Sequence, residues 1–311
     1  MPADPTKDLL LITSASGKQA NALLPLLSEW KNLRLAIKSS TSKDRLKKAY
    51  PHAEVIQTDL YSPTNCVNLL RDVNVAIHIG PSYHPHEASI GKMMIDAAIS
   101  SYQAGYGTLK HFILSSVLNS QLSKMLNHDC KKDVEEYIIE SDLPYTILQP
   151  TTFMDNIPVQ MLAGQDEPVF RAAWSTDVRF SMIALSDLAE VFKTVLFERE
   201  RHVFAQYPLV STHEPLSFGE AMRIIGENLD KEVQVEKLEY KQAVDGLLVR
   251  LYGKTEGVDP RSRDAAQRMI LFYDSRGLVG NANVLEWVLG KKGVQFDEWV
   301  VGKLGEGKGK S

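Results

Sequence analysis

Two cysteines in 311 residues, Cys66 and Cys130, are too few for a disulfide framework or a four-ligand structural zinc site. A count this low suits a reducing compartment. No apolar run approaches the roughly 20 residues of a membrane-spanning helix. Charge of one sign is also missing. Against 39 Asp and Glu stand 35 Lys and Arg, a formal net charge of -4 that offers a polyanion no footprint. Neither nucleic acid nor a membrane is therefore an expected partner. Met1 to Asp8 show no basic stretch followed by an apolar one, so no secretory signal is expected and the expected location is cytoplasmic. What remains is an ordinary globular composition, 44% hydrophobic and 24% charged, with material for a large core.

Short unbroken apolar runs alternate with segments of helical period over the first 150 residues. The expected strands are 9–12, 33–37, 55–56, 73–79, 111–114 and 145–148, and the expected helices 20–30, 43–50, 64–70, 90–104 and 134–139. A run such as Leu9-Leu10-Leu11-Ile12 lacks alternation because a strand buried on both faces has no polar side. Strand–helix alternation demands parallel strands with right-handed crossovers, which is an α/β, doubly wound Rossmann sheet. Such sheets bind ligands beyond the strand carboxyl ends, near the point where strand order reverses. After residue 150 helices are expected at 155–164, 186–196, 217–229, 241–251, 261–273 and 281–289, with a strand at 203–210 returning to the sheet. The expected division is a nucleotide-binding domain over 1–152, with 177–212 returning to it. A smaller, mainly helical substrate or partner region would cover 153–176 and 213–302, and a Gly/Lys-rich disordered tail 303–311.

The first turn beyond a strand is the most informative. Ser14-Ala15-Ser16-Gly17-Lys18-Gln19-Ala20 joins the first strand to the first helix. A dinucleotide site wants glycines here at spacing three: for the tight turn, for close approach to the pyrophosphate, and for helix–strand packing. Gly17 is retained, and Ser14 and Ala20 are small substitutes for the outer two. Ser14 is the less comfortable of these wherever the turn needs a positive φ. The helix start can still stabilise an anion; a small-residue turn with no ligand is the plain alternative. A site for NAD(H) ends its second strand on a carboxylate for the ribose 2′-hydroxyl. This chain has Ile37-Lys38-Ser39-Ser40, then Lys43 and Arg45. Cations and hydroxyls suit a 2′-phosphate, so NADP(H) is expected over NAD(H).

Several runs together carry a resemblance. They are Ile12 to Ala20, Gln57-Thr58-Asp59-Leu60, Gly91 to Ala98, Lys110 to Val117, Asn127 to Lys131 with Val134 to Tyr137, and Pro144 to Met154. This set resembles the NmrA-like family of atypical short-chain dehydrogenases, particularly its fungal members, and is similar to isoflavone reductases. The resemblance implies a dinucleotide-binding fold. It leaves the chemistry open, because the family mixes reductases with NADP-binding regulators that turn nothing over. It implies that Ser14, Ser16, Gly17, Lys18 and Gln19 wrap the pyrophosphate, and that Lys38, with Ser39 beside it, meets the 2′-phosphate. Asp59 and Leu60 would border the adenine, and Gly80, Pro81 and Ser82 would line the nucleotide path. Lys131 would reach the nicotinamide ribose, and Pro150, Thr151, Thr152 and Phe153 would flank the nicotinamide. The family pattern G-A-T-G-x-x-G is eroded here at Ser14 and Ala20.

Groups for chemistry are fewer. A short-chain dehydrogenase uses Tyr-x-x-x-Lys on one helix face. Tyr106 and Lys110 have that spacing, but Gly107 and the strand beginning near Lys110 speak against a helix, so the match reads as chance. Tyr137 is followed four residues later by Ser141. The candidate proton-handling residues are therefore Lys131, if burial lowers its pKa, His128 three residues earlier, and Tyr83. Lys131 could equally bind ribose hydroxyls only, and His128 could cap the helix start. Cys130 beside Lys131 could form a thiolate or be a plain helix residue. Tyr83, His84, Ser116, Phe153 and Met154 are candidates for a substrate pocket, and Ser115 joins the cofactor set. His84-Pro85-His86 lacks an evident third ligand, so no metal is expected. Neither Ser115 nor Ser116 stands in a G-x-S-x-G elbow, which argues against a serine hydrolase. The leading expectation is an NADPH-dependent reductase or tailoring enzyme for a small apolar carbonyl, enone or imine. The alternatives are a non-enzymatic NADP-sensing regulator with a protein partner, which could be nuclear, and a non-redox cyclising enzyme.

Overall fold

Leu9–Ile12 (β1) lies inside a seven-stranded sheet, paired on both sides, which explains its unbroken apolar run. The computed structural model describes residues 3–103 and 108–308; Tyr106 and Gly107 of the Tyr-x-x-x-Lys match lie outside them. From β1 the chain runs through α1 (Lys18–Leu23), β2 (Asn32–Ile37), α2 (Ser40–Ala49), β3 (Glu54–Gln57), α3 (Pro63–Leu70) and β4 (Val75–Ile79). It continues through α4 (Glu87–Gln103), β5 (His111–Ser115), α5 (Leu126–Ile139) and β6 (Tyr145–Pro150). The first helix is shorter than expected. Pro25 lacks an N–H, and the chain tightens into a 3-10 turn at Leu24–Leu27.

The remaining elements are β7 (Thr152–Phe153), α6 (Val159–Ala163), β8 (Val169–Ala172), β9 (Met182–Ile183), α7 (Leu185–Phe197) and β10 (Ala205–Leu209). Then follow α8 (Phe218–Leu229), β11 (Gln234–Lys237), α9 (Tyr240–Tyr252), α10 (Pro260–Ser275), α11 (Asn283–Leu289) and α12 (Phe296–Lys308). The helix expected over 155–164 is broken by Pro158 into a 3-10 turn and α6.

The sheet order is β10-β6-β5-β4-β1-β2-β3. The pairings β1–β2, β2–β3, β1–β4, β4–β5 and β5–β6 are parallel. Strand order reverses between β1 and β4, so the crevice that a doubly wound sheet offers a ligand opens beyond Ile12 and Ile79. The strand expected at 203–210 does join the sheet, as β10 at its edge.

The chain divides into two compact units. One comprises Met1–Gln121, His128–Gln149 and Leu188–Tyr207; the other comprises Leu122–Asn127, Pro150–Asp187 and Pro208–Ser311. The core of the first joins Leu11, Leu69, Met94, Phe112, Val134, Ile138 and Ile147 between sheet and helices. Packing of α4 against α5 is close. A Cβ at Gly91 would lie 2.5 Å from Val134 Cγ2. Gly91→Ala is expected to cost about 1–3 kcal/mol in urea unfolding, and Val134→Ala in the same chain to recover part of it.

The second unit holds two small parallel pairs, β8–β11 and β7–β9. Its apolar cluster gathers Met154, Leu162, Met222, Ile225, Phe296, Trp299 and Val300. The tail expected to be disordered over 303–311 is helical as far as Lys308. Phe296, Trp299 and Val300 pin the first turns of α12, and a helix once nucleated adds residues cheaply. No helix among the described residues is long and apolar enough to cross a membrane.

Candidate functional site

The turn after β1 is built from its own backbone. Ala15 N–H donates to Ala36 O at 3.0 Å, and Gly17 N–H to Ser14 O at 2.8 Å. Ser14 adopts the left-handed conformation, φ 48°, that the first glycine of the motif would supply. Its hydroxyl folds back and donates to Ile79 O at 2.8 Å, so the side chain that replaces glycine is tied to β4. A Cβ at Gly17 would come within 3.1 Å of Ser14 O, a tight approach that a shift of a few tenths of an ångström relieves. Ala20 is fully buried against the core, as expected of the packing position. Gly17, Lys18 and Gln19 open α1, and Gly17 and Lys18 are exposed. The turn thus keeps its left-handed first residue and an exposed, side-chain-free Gly17 at the start of α1.

Cationic and hydroxyl groups surround the end of β2. Lys38 and Ser39 are exposed, and the Ser39 hydroxyl pairs with that of Thr41 at 2.6 Å. Arg45, one turn into α2, lays its guanidinium back on the turn, 3.4 Å from Ser16 O. Asp59 accepts from Tyr61 N–H at 3.0 Å, and its carbonyl accepts from Asn65. Tyr61 stacks on His86 at 4.2 Å between ring centroids, which joins the loops after β3 and β4. Burial, and then the Lys38 charge, hold His84 below the ordinary imidazole range.

At the carboxyl ends of β4 and β5 the groups are buried. Gln19 Oε1 accepts from the Ser115 hydroxyl at 2.7 Å, a bond from the β1 turn to the end of β5. Ser116 Oγ is buried and has no hydrogen-bond partner. A cavity of about 20 Å³, room for a water molecule, is lined by His78, Gly80, Glu87, Ser115, Ser116 and Lys131 among others. The Thr13 hydroxyl donates to Ile79 O and accepts from Ile79 N–H, so at 3.1 Å from it His78 Nδ1 must be the donor. His78 Nε2 is then a bare acceptor, 3.9 Å from where a Cβ on cavity-lining Gly80 would sit. Burial, and then the Lys131 charge, push His78 down to about 3, so the ring is neutral.

Lys131 donates to Glu87, a buried carboxylate in the first turn of α4. Burial is the largest single influence and pulls the Lys131 ammonium down, but the Glu87 charge and hydrogen bond, with smaller contributions from its other neighbours, together leave the pKa above the ordinary lysine value. The condition set for Lys131 as a proton donor, a lowered pKa, is not met. The thiolate suggested for Cys130 is corrected outright: burial first, and then the Glu87 charge, push the thiol far up. His128 lies on α5 with Lys131, fully buried; its Nδ1–H donates to Asn119 O at 3.1 Å, and burial pushes it down to about 4. It ties the helix to the loop before it. Tyr83, at φ 64°, gives its backbone N–H to Glu87 Oε2 at 2.9 Å.

Pro150 to Met154 belong to the second unit. There Thr151 Oγ1 donates to Ser181 O at 3.1 Å, Thr152 and Phe153 form β7, and Met154 is buried. Two participants had no signal in the sequence. Glu87 and His78 stand in no motif, and a parallel sheet with its crossover brings them to Lys131. Among the described residues no cluster of three or more His, Cys, Asp or Glu could hold a metal ion.

Solved structures share this fold. NADPH-dependent quinone oxidoreductase from Escherichia coli, complexed with NADPH, is 16% identical over 95% of this chain and 100% of its own, with a TM-score of 0.73. Triphenylmethane reductase from Citrobacter sp., complexed with NADP(H), is 18% identical over 94% of this chain and 99% of its own, TM-score 0.75. NmrA, a negative transcriptional regulator in complex with NAD, is 15% identical over 98% and 99%, TM-score 0.71. A comparison with curated protein sequences returned no match. The model of the NmrA-like family matches residues 6–299, nearly the whole sequence, and the chain belongs to that family.

Proposed function

We propose that the protein binds NADP(H) and reduces a small apolar carbonyl, enone or imine. One observation carries the cofactor reading: the second strand is followed directly by Lys38 and Ser39, with Arg45 laid back on the Ser16 carbonyl and no carboxylate at the strand end. Two cations and a pair of hydroxyls recognise a phosphate monoester; a bare 2′-hydroxyl would leave them unused. The turn fits the rest of the group. Ser14 folds its hydroxyl onto Ile79 O, and Gly17 has no side chain to fill the seat. When bound, the cofactor would supply a hydride. The residues of this chain would hold the pyrophosphate on the α1 opening, the 2′-phosphate on Lys38 and Arg45, and the ribose on Lys131.

Calorimetric titration tests this. NADPH is expected to bind tighter than NADH, and Lys38→Ala with Arg45→Ala to cut NADPH affinity by about tenfold or more while sparing NADH. Equal affinity for the two, or no heat with either at millimolar concentration, would sink the reading. Reductase turnover is checked by NADPH oxidation across a panel of carbonyls and imines.

A second reading, a regulator that senses the cofactor, draws on the state of the proton-handling residues. Lys131 is locked on Glu87, and His128 is buried and tied to Asn119 O. Absence of turnover, with a protein partner bound differently in NADP⁺ and in NADPH, would favour it.

A further inference from the structure

Glu87 is among the most deeply buried carboxylates of the first unit, and hydride transfer itself gives it no task. We propose that Glu87 is a positioning residue that fixes the Lys131 ammonium beside the carboxyl ends of β4 and β5, where it meets the nicotinamide ribose of a bound dinucleotide. This rests on the NADP(H) reading above and deepens it.

A lysine ammonium on a four-carbon stem is a poor locator, because it gives up much rotamer freedom when held in one place. Its anchor must itself be rigid. Glu87 meets that demand. It stands in the first turn of α4, its Oε2 accepts the Tyr83 N–H at 2.9 Å, and Lys131 donates to its Oε1. Tyr83 delivers that N–H from a left-handed conformation, φ 64°, which costs energy in a residue other than glycine. The other carboxylate within reach is committed elsewhere. Glu135, one turn along α5, is buried and accepts from Ser120 Oγ at 2.7 Å and from Gln149 Nε2 at 2.9 and 3.0 Å. Gly80 lines the cavity with Glu87, and a Cβ there would stand in ordinary contact, 3.6 Å from Glu87 Oε1. The Glu87 bond uses one of three ammonium donors. Across the cavity His78 Nε2 offers an acceptor. A ligand hydroxyl fits both, accepting from Lys131 and donating to His78, whereas a carbonyl oxygen satisfies the cation only.

The groups that face Lys131 are Glu87 from α4, Glu135 and Cys130 from α5, His128 one turn before it, and His78 from β4. Glu87→Gln keeps the shape and removes the charge, which leaves burial as the main influence on the ammonium.

The test combines a readout that needs no cofactor with one that does. In protein labelled at lysine Cε, the Lys131 resonance is assigned by its loss in Lys131→Met. It is expected not to titrate below the ordinary lysine value of 10.5 in the unchanged protein, and to titrate well below it in Glu87→Gln. NADPH affinity at neutral pH is expected to fall about tenfold in Glu87→Gln, and further as pH rises. The unchanged protein and Glu87→Asp should show flat profiles over the same range. Glu87→Gln with Lys131→Met should bind no worse than Lys131→Met by itself, since one residue acts through the other. A Glu87→Gln protein that melts lower yet binds NADPH unchanged overturns the proposal and makes the pair purely structural. Additive losses in the double variant overturn it too. If the unchanged protein binds no NADPH while the Lys131 titrations run as expected, the cofactor reading fails and this role falls with it.

Discussion

Replacing Gly17 by valine is expected to weaken NADPH binding by about a hundredfold while the fold stands. Gly17 is exposed and has an ordinary φ of -79°, so a side chain brings no backbone strain. What it brings is bulk. A Cβ would lie 3.1 Å from Ser14 O, and the valine methyls would extend over the opening of α1, where phosphate oxygens must approach peptide N–H groups. Losing about two charge-assisted hydrogen bonds, at roughly 1.5 kcal/mol each, removes about 3 kcal/mol, or two decades of affinity. Stability should move little, because the site is at the surface. Titration calorimetry and a thermal melt of the same sample separate the two effects. Unchanged NADPH affinity in this variant would place the pyrophosphate elsewhere and remove the basis for reading the turn as an anion seat.

Acid is expected to unfold the first unit through three histidines. His78 and His111 are pushed down to about 3 and His128 to about 4, each chiefly by burial. His111 Nε2 must donate to Thr146 Oγ1, because that hydroxyl donates to His202 O, and His111 Nδ1 is left buried without a partner. In the unfolded chain the same rings protonate near the ordinary 6.5. Between pH 6.5 and about 4 the unfolded state therefore binds more protons than the folded one, and stability is lost as pH falls through that window. At pH 5 each ring costs about 2 kcal/mol, so the three approach 6 kcal/mol, comparable to the whole stability of many domains. Urea unfolding at pH 7.5 and pH 5 should show a large drop in midpoint. Equal midpoints would mean that the rings titrate as in solvent. For the site, the consequence is that His78 is a neutral acceptor throughout the working range.

β1 and β5 were legible because they are buried on both faces. Leu9–Ile12 and His111–Ser115 appear as apolar runs, and their boundaries agree with expectation to within a residue. Apolar period did not mark the first half of α5, although Lys131 and His128 were expected on that helix. Leu126 to Asp133 is mostly polar, and the helix shows only where Val134 and Ile138 meet the core. The pair β8 and β11 was missed for a related reason: Val169–Ala172 and Gln234–Lys237 bury little, and they pair with each other across the chain. At the turn after β1, the left-handed conformation expected at the Ser14 position was legible because local turn geometry constrains it. The state of Lys131 was not, since its partner lies 44 residues away.

Local forces thus set the apolar runs, the glycine at the turn and the missing carboxylate after the second strand; each depends on neighbours a few positions off, so the order of residues suffices to read it. Whether the Lys131 pKa is raised or lowered, whether Cys130 can ionise, and which nitrogen of His78 carries its hydrogen were decided only when the sheet and its crossovers closed. Those properties depend on burial and on charges brought together from distant segments, and electrostatic energy follows distance in space, not in sequence.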